Sequence, residues 1–268
     1  MRGELAILCS AILMGTVSIF VRNTASDALI VTFLRLFFAT LFLSIFGLIR
    51  KEKFAFSKTL LVLAFLNLAT IFSYISAIQS IEAGVAALLL YMAPIYVTII
   101  AYLSGETIER STILALPLGI LGLYFMLSTY VALNTGIVFG IFSGITYALV
   151  FKFSKKAREI HSAFQIAFFN VFFGSILLSP YFLIKNESFS IPWALGLGLI
   201  PTAIPFILFA YGMKLVKLQK APLIALIEPM FAVLVGYFYF GEVLNLKQML
   251  GALLILVATS ISLKRAET

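Results

Sequence analysis

The sequence predicts an all-α integral membrane protein: ten transmembrane helices, arranged as two inverted five-helix repeats, with both termini cytoplasmic. Three observations predict it. The composition is too apolar for water, ten apolar runs have membrane-spanning length, and the basic residues gather on one side. The chain is 62% hydrophobic and 11% charged, with 27 phenylalanines. A soluble domain averages about 45–50% apolar and about 25% charged. A chain this poor in polar surface takes lipid as its solvent.

A bilayer core of about 30 Å needs about 20 apolar residues per helix. Such runs fall near 4–21, 29–49, 60–80, 83–103, 112–128, 134–153, 162–184, 191–213, 219–240 and 247–263. The first follows Arg2 and exceeds the apolar core of a signal peptide, so it reads as a retained helix. Neither linkers nor tails have room for a soluble domain.

Ten crossings place both termini on one side. With that side inside, the inner loops collect fifteen Lys and Arg and the outer loops collect Arg22, Lys185 and Lys247. The remaining one is Arg35, within the second run. Cytoplasmic loops carry the excess of Lys and Arg, so the tally supports both the orientation and the even count. The net charge of +8 therefore reads as membrane orientation, and no nucleic-acid partner is implied. One cysteine, Cys9, permits no intrachain disulfide.

The run ALIEPMFAVLVGYFYFGE at 225–242 has an echo in ALLLYMAPIYVTIIAYLSGE at 87–106. Pro94 and Pro229 are 135 apart, and Glu106 and Glu242 are 136 apart. Upstream, SIEAGVAAL aligns with LVKLQKAPL, and GELAILCSAILMG resembles GIVFGIFSGITYA. Two copies of a five-helix unit follow, 1–130 and 131–268, forming one membrane domain. An odd number of crossings per copy inverts the second. Inverted repeats are the architecture of many secondary transporters, with the substrate site near the midplane.

These paired proline-to-Gly-Glu segments, the LIEPMFAVLVGYFYFGE form of the ninth helix and the FLRLFFA opening of the second resemble the drug/metabolite transporter superfamily, in its EamA-type branch. The resemblance covers residues 1 to about 264. It implies a basket-like bundle with a central cavity lined mainly by helices 1, 3, 4, 6, 8 and 9. It also implies export of amino acids or other small metabolites.

Among single residues Glu228 stands out. A charge at a helix centre costs roughly 2.5–3.5 kcal/mol on insertion scales and almost always faces the bundle interior or a wet cavity. Small residues share its face (Ala221, Ala225, Ala232, Gly236), and Pro229 frees a carbonyl one turn earlier. Together they offer a carboxylate and a loose carbonyl to an ammonium or a proton. The alternative is a protonated structural acid, or one wetted from the inner end. Its first-repeat partner is Ala93, beside Tyr91, so the symmetry is broken chemically. Tyr91, Tyr74, Asn67, Tyr147 and Tyr211 are the further candidates for substrate contact, with interhelical packing as the bland alternative. Asn67, Thr70 and Tyr74 share one face. Pro94, Pro229, Pro201 and Pro205 break helices, Pro201 and Pro205 at the least giving a plain kink. Arg35 snorkels outward, or pairs with an acid or a substrate carboxylate, with a structural or gating role favoured. Gly136, Gly140 and Gly144 form a small-xxx-small stripe for close helix contact. Glu106 and Glu242 read as caps of the helices that follow them. His161 reads as a solvated loop residue, and Asn186 opens a glycosylation sequon on the outer side.

Catalytic chemistry has little to work with. One His, one Cys and one Asp (Asp27) make no HExxH site, no aspartyl dyad and no Asp-rich diphosphate site. No GxSxG and no P-loop occur, so a Ser hydrolase and an ATP-driven pump are not indicated. No metal and no cofactor is expected. The reading is a secondary or facilitated exporter of small metabolites, amino acids first, in the inner or plasma membrane. It would work by alternating access as a monomer or weak homo-oligomer. Alternatives are a multidrug or cation–proton antiporter, a nucleotide-sugar or nucleoside transporter, a non-transporting scaffold and an intramembrane enzyme.

Overall fold

In the computed structural model the residues described are 2–24, 26, 28–80, 83–127, 135–185, 187–241 and 245–263. Every element among them is helical. In chain order they are α1 (Arg2–Met14), α2 (Val17–Thr24), α3 (Ala28–Arg50), α4 (Lys58–Ser80), α5 (Ala83–Leu90), α6 (Ala93–Leu103) and α7 (Arg110–Leu127). Then come α8 (Thr135–Ile160), α9 (Ala163–Ile184), α10 (Ile191–Gly198), a π turn (Leu199–Ala203), α11 (Ile204–Leu215), α12 (Ala221–Ala225), α13 (Ile227–Phe240) and α14 (Leu246–Leu263). Helices are what lipid permits, since each satisfies its own backbone polar groups.

Among the described residues, seven helical stretches are long and apolar enough to cross a membrane, and three shorter apolar helices accompany them (Lys58–Tyr74, Ala93–Leu103, Arg110–Phe125). Four apolar runs of the sequence are interrupted. Gly15-Thr16 separates α1 from α2, and Tyr91-Met92 separates α5 from α6. The π turn separates α10 from α11, and Leu226 separates α12 from α13. Large apolar side chains such as Leu48, Ile49, Leu183 and Ile184 lie on the outside, where lipid is their solvent.

The chain divides into two compact units, each drawing on both halves of the sequence. Unit 1 comprises Met1–Phe65 and Phe153–Leu215, and unit 2 comprises Leu66–Lys152 and Val216–Thr268. In unit 1, α1 packs on α11, and α3 packs on α9 and α10. Ile30, Phe33, Leu34 and Ala194 form a buried core, with Phe182 stacked on Phe33 at 4.5 Å between ring centres. Glycines let these backbones approach: a methyl group at Gly212 would lie 2.8 Å from the Gly3 oxygen. At the start of α9, Ser162 and Gln165 form a reciprocal capping box. In unit 2, α7 packs along α14, where a methyl at Gly122 would meet the Gly251 oxygen at 2.8 Å.

Candidate functional site

The prolines decide where these helices open. Proline has no N–H, so the carbonyl four residues earlier loses its helical donor. In unit 1, Pro201 deprives the Leu197 carbonyl, and the Thr202 hydroxyl donates to it instead at 2.7 Å. Pro205 deprives the Pro201 carbonyl, and Arg35 Nη2 donates there at 3.3 Å. Arg35 Nε also donates to Thr202 Oγ1 at 2.9 Å, and Ser10 Oγ donates to the Pro205 oxygen at 2.8 Å. The expected kink is thus a widened π turn whose two freed carbonyls are taken up by Thr202 of the turn itself and Arg35 of α3, while Ser10 of α1 braces the Pro205 carbonyl. Arg35 sits at that turn, half-buried.

Unit 2 treats its two breaks differently. Pro94 is the second residue of α6, and Tyr91 stands in the break just before that helix. Pro229 is the third residue of α13, and Glu228 precedes it. The Tyr91 hydroxyl donates a hydrogen bond to the Glu228 carboxylate, and Tyr147 and Tyr74 lie within electrostatic reach of Tyr91. Tyr74 is likewise within reach of Glu228. All four side chains are half-buried. They come from four of the apolar runs, and two of them stand at helix breaks. The Tyr147 ring rests edge-on against Phe151 at 5.0 Å. Nearby, Thr70 Oγ1 donates to Thr146 Oγ1 at 3.0 Å and joins α4 to α8. The arrangement presents one carboxylate and three phenols inside a membrane segment. Such a set binds an ammonium through charge and through the faces of the rings, or it takes up a proton.

The other expected residues are placed as follows. Asn67 is half-buried on α4, two turns before Tyr74. Tyr211 belongs to unit 1, is 41% exposed and lies near the Arg158 guanidinium. Gly140 and Gly144 face Leu89 of α5, where a methyl at Gly144 would meet the Leu89 oxygen at 2.5 Å. Gly136 is buried at the start of α8. Ala221, Ala225 and Gly236 are buried and support packing, although the break at Leu226 divides their stripe. Glu106 follows Gly105, whose φ of 82° suits glycine, and its Oε2 is enclosed without a hydrogen-bond partner. Glu242 and Asn186 lie outside the described residues.

His161 requires correction. It is 6% exposed rather than solvated. Its Nε2 pairs with Ser57 Oγ at 2.6 Å and its Nδ1 with Gln165 Oε1 at 3.1 Å. Gln165 Nε2 donates to the Lys53 carbonyl at 2.7 Å, and Arg158 donates to the His161 carbonyl. This network ties the loop after α3 to the turn between α8 and α9.

Glu109 is a further residue of note, unmarked by any motif. Its Oε1 lies 2.7 Å from Lys217 Nζ and its Oε2 lies 2.7 Å from Lys220 Nζ. Gln219 accepts from the Glu109 N–H at 2.9 Å and donates to the Thr107 carbonyl at 2.8 Å. Burial pushes the Glu109 carboxyl up, but the two lysines outweigh it through hydrogen bonds and charge and bring it down to about 2. No sequence signal pairs residues 110 apart. The visible hint was an acid in the short loop SGETIER at 104–110 and a glutamine among lysines in KLQK at 217–220.

Among the described residues, no cluster of His, Cys, Asp and Glu is set to hold a metal.

The model of a family described as the EamA-like transporter family matches residues 1–128 and 134–264. An uncharacterized transporter of Archaeoglobus fulgidus is 55% identical over 260 residues, spanning 97% of this chain and 96% of its own. The uncharacterized inner membrane transporter YicL of Salmonella typhimurium is 23% identical, spanning 95% of this chain and 93% of its own. A crystal structure of a protein 16% identical to this chain superposes with a TM-score of 0.86 and covers 97% of both chains. At that identity it speaks for the fold alone.

Proposed function

The chain belongs to the EamA-like transporter family, and from that premise we propose that it is a secondary or facilitated exporter of small metabolites, amino acids first. The observation that carries the proposal is the meeting of Glu228 and Tyr91 at two helix breaks, with Tyr74 and Tyr147 beside them. Discontinuous helices at the midplane are where secondary transporters bind substrate. The carboxylate takes the substrate's ammonium, and the phenols take its apolar or aromatic part.

The fuller architecture belongs to the same proposal. Two five-helix repeats, 1–130 and 131–268, insert in opposite senses and give ten crossings with both termini cytoplasmic. The two-segment family match and the fifteen-to-three charge bias support it. They open a shared cavity to each side in turn. Epitope tags at the two ends test the orientation. Both tags are expected to be cleaved by protease only after cells are opened, and cleavage of one tag in intact cells sinks the even count.

A second reading, an organic cation–proton antiporter, draws on the same carboxylate among phenols. Uptake of a mixed amino-acid pool into proteoliposomes, read by mass spectrometry with and without a pH gradient, separates the two. Uptake indifferent to the gradient makes the protein a facilitator with Glu228 as a binding residue. Gradient-driven uptake makes Glu228 the proton carrier as well. No uptake by folded protein moves the substrate out of the amino acids.

A further inference from the structure

The Glu109 contacts lie on the stretch of chain that leads to Glu228. Lys220 caps α12, and all five residues of that helix are buried. The Ala221 N–H donates to the Lys217 carbonyl at 3.3 Å, and the Ile224 N–H donates to the Lys220 carbonyl at 3.1 Å. From α14, Thr259 Oγ1 donates to the Leu223 carbonyl at 3.3 Å. Leu226 is wedged against α7, where a methyl at Gly119 would lie 2.6 Å from its Cδ1. The chain from Lys217 to Leu226 is therefore held along its length. A displacement at Lys220 has little slack to absorb it before Glu228.

The two lysines are not equivalent. The Lys217 side chain is 57% exposed, so its ammonium reaches water without help. The Lys220 side chain is 10% exposed and its ammonium is held by Glu109, itself 11% exposed. Removing one partner of a buried pair leaves an uncompensated charge, which must find water. For Lys220, reaching water means moving the residue that caps α12. Gln219 has no exposed surface and fixes the same strand of chain to Thr107 and Glu109.

We propose that Glu109 is a positioning residue for Glu228: by holding the buried Lys220 it fixes α12, and through α12 the placing of Glu228 beside Tyr91. The proposal rests on the reading of Glu228 as the substrate contact, but its test does not need a substrate.

The test uses full-length protein in proteoliposomes, with Cys9→Ser as background and a cysteine at Ala232, one turn beyond Glu228 on the same face. The rate of labelling by a small maleimide reports where α13 lies. Glu109→Gln is expected to change that rate by about fivefold or more, the lower end of typical site-to-site coupling. Lys217→Gln is expected to leave it unchanged, because that lysine is already in water. Glu109→Gln combined with Lys220→Met is expected to return it to the parent rate, because no buried ammonium remains. A cysteine at the fully buried Ala39 in unit 1 controls for general loosening. Should Glu109→Gln not fold, Glu109→Asp, which keeps the charge and shortens its reach, is expected to shift the rate in the same direction. Unchanged labelling at position 232 in the Gln and Asp variants, or equal gain at position 39, overturns the proposal. Amino-acid flux in the same vesicles is read separately. A labelling shift without any flux keeps the positioning role and removes the amino-acid reading, and flux without a labelling shift does the reverse.

Discussion

Unit 1 and unit 2 both break membrane helices at prolines, and they do opposite things with the break. Around Pro201 and Pro205, Thr202 donates to the Leu197 carbonyl, Arg35 to the Pro201 carbonyl and Ser10 to the Pro205 carbonyl, and Arg35 also holds the Thr202 hydroxyl. Around Pro94 and Pro229, Thr98 Oγ1 donates to the Pro94 carbonyl, but the Tyr91 hydroxyl goes to a side chain, the Glu228 carboxylate, with Tyr74 and Tyr147 in reach. The first break is a splice that restores hydrogen bonds lost to proline. The second presents chemistry. A broken membrane helix is therefore not a site by itself. What decides is whether the polar groups at the break are used up by the backbone.

The comparison gives its largest expected effect at Glu228. Glu228→Gln keeps the shape and removes the charge. Flux per folded molecule should fall about tenfold or more, a loss of about 1.4 kcal/mol or greater, while the elution profile in detergent stays that of the parent. Arg35→Ala should do the converse. Hydrogen bonds involving a charged group contribute roughly 1.5–3 kcal/mol each, and a stranded buried carbonyl costs a further ~1–3 kcal/mol. Thermal unfolding in detergent should register a loss of that order, with flux per folded molecule close to that of the parent.

The smallest expected effect is the acid dependence of unit 2. The Glu109 carboxyl is lowered from 4.5 to about 2 in the folded protein. A depressed carboxylate contributes stability that is complete above its unfolded value and fades as pH falls through its folded value. The unfolding temperature should therefore decline between about 4.5 and about 2 because of this residue. Glu109→Gln should be flatter across that window. Thermal scans at stepped pH on both proteins check the difference.

The membrane class, the apolar runs and the prolines were legible in the sequence, because lipid solvation and a missing N–H are local facts. Glu228 and Tyr91 were legible for the same reason: a carboxylate and a phenol beside a proline stand out in an apolar run. What the prolines' freed carbonyls would bond to was not legible. Arg35 reaches Pro201 across 166 positions of sequence, and periodicity carries no trace of such a pairing. The π turn has the same origin, since two prolines four apart are equally compatible with a simple kink. His161 and Glu109 were misjudged or missed because loop polarity suggests solvation. Ser57 for the one and Lys217 and Lys220 for the other sit in loops distant in sequence, and Gln165 reaches back to His161 from the first turn of α9.

The most direct measurement sets Glu228→Gln beside Arg35→Ala in proteoliposomes, recording amino-acid flux per folded molecule and the unfolding temperature for each. The account predicts that Glu228→Gln loses flux and keeps its unfolding temperature, and that Arg35→Ala loses unfolding temperature and keeps flux. Full flux in Glu228→Gln, or lost flux in an Arg35→Ala protein that unfolds like the parent, would contradict it.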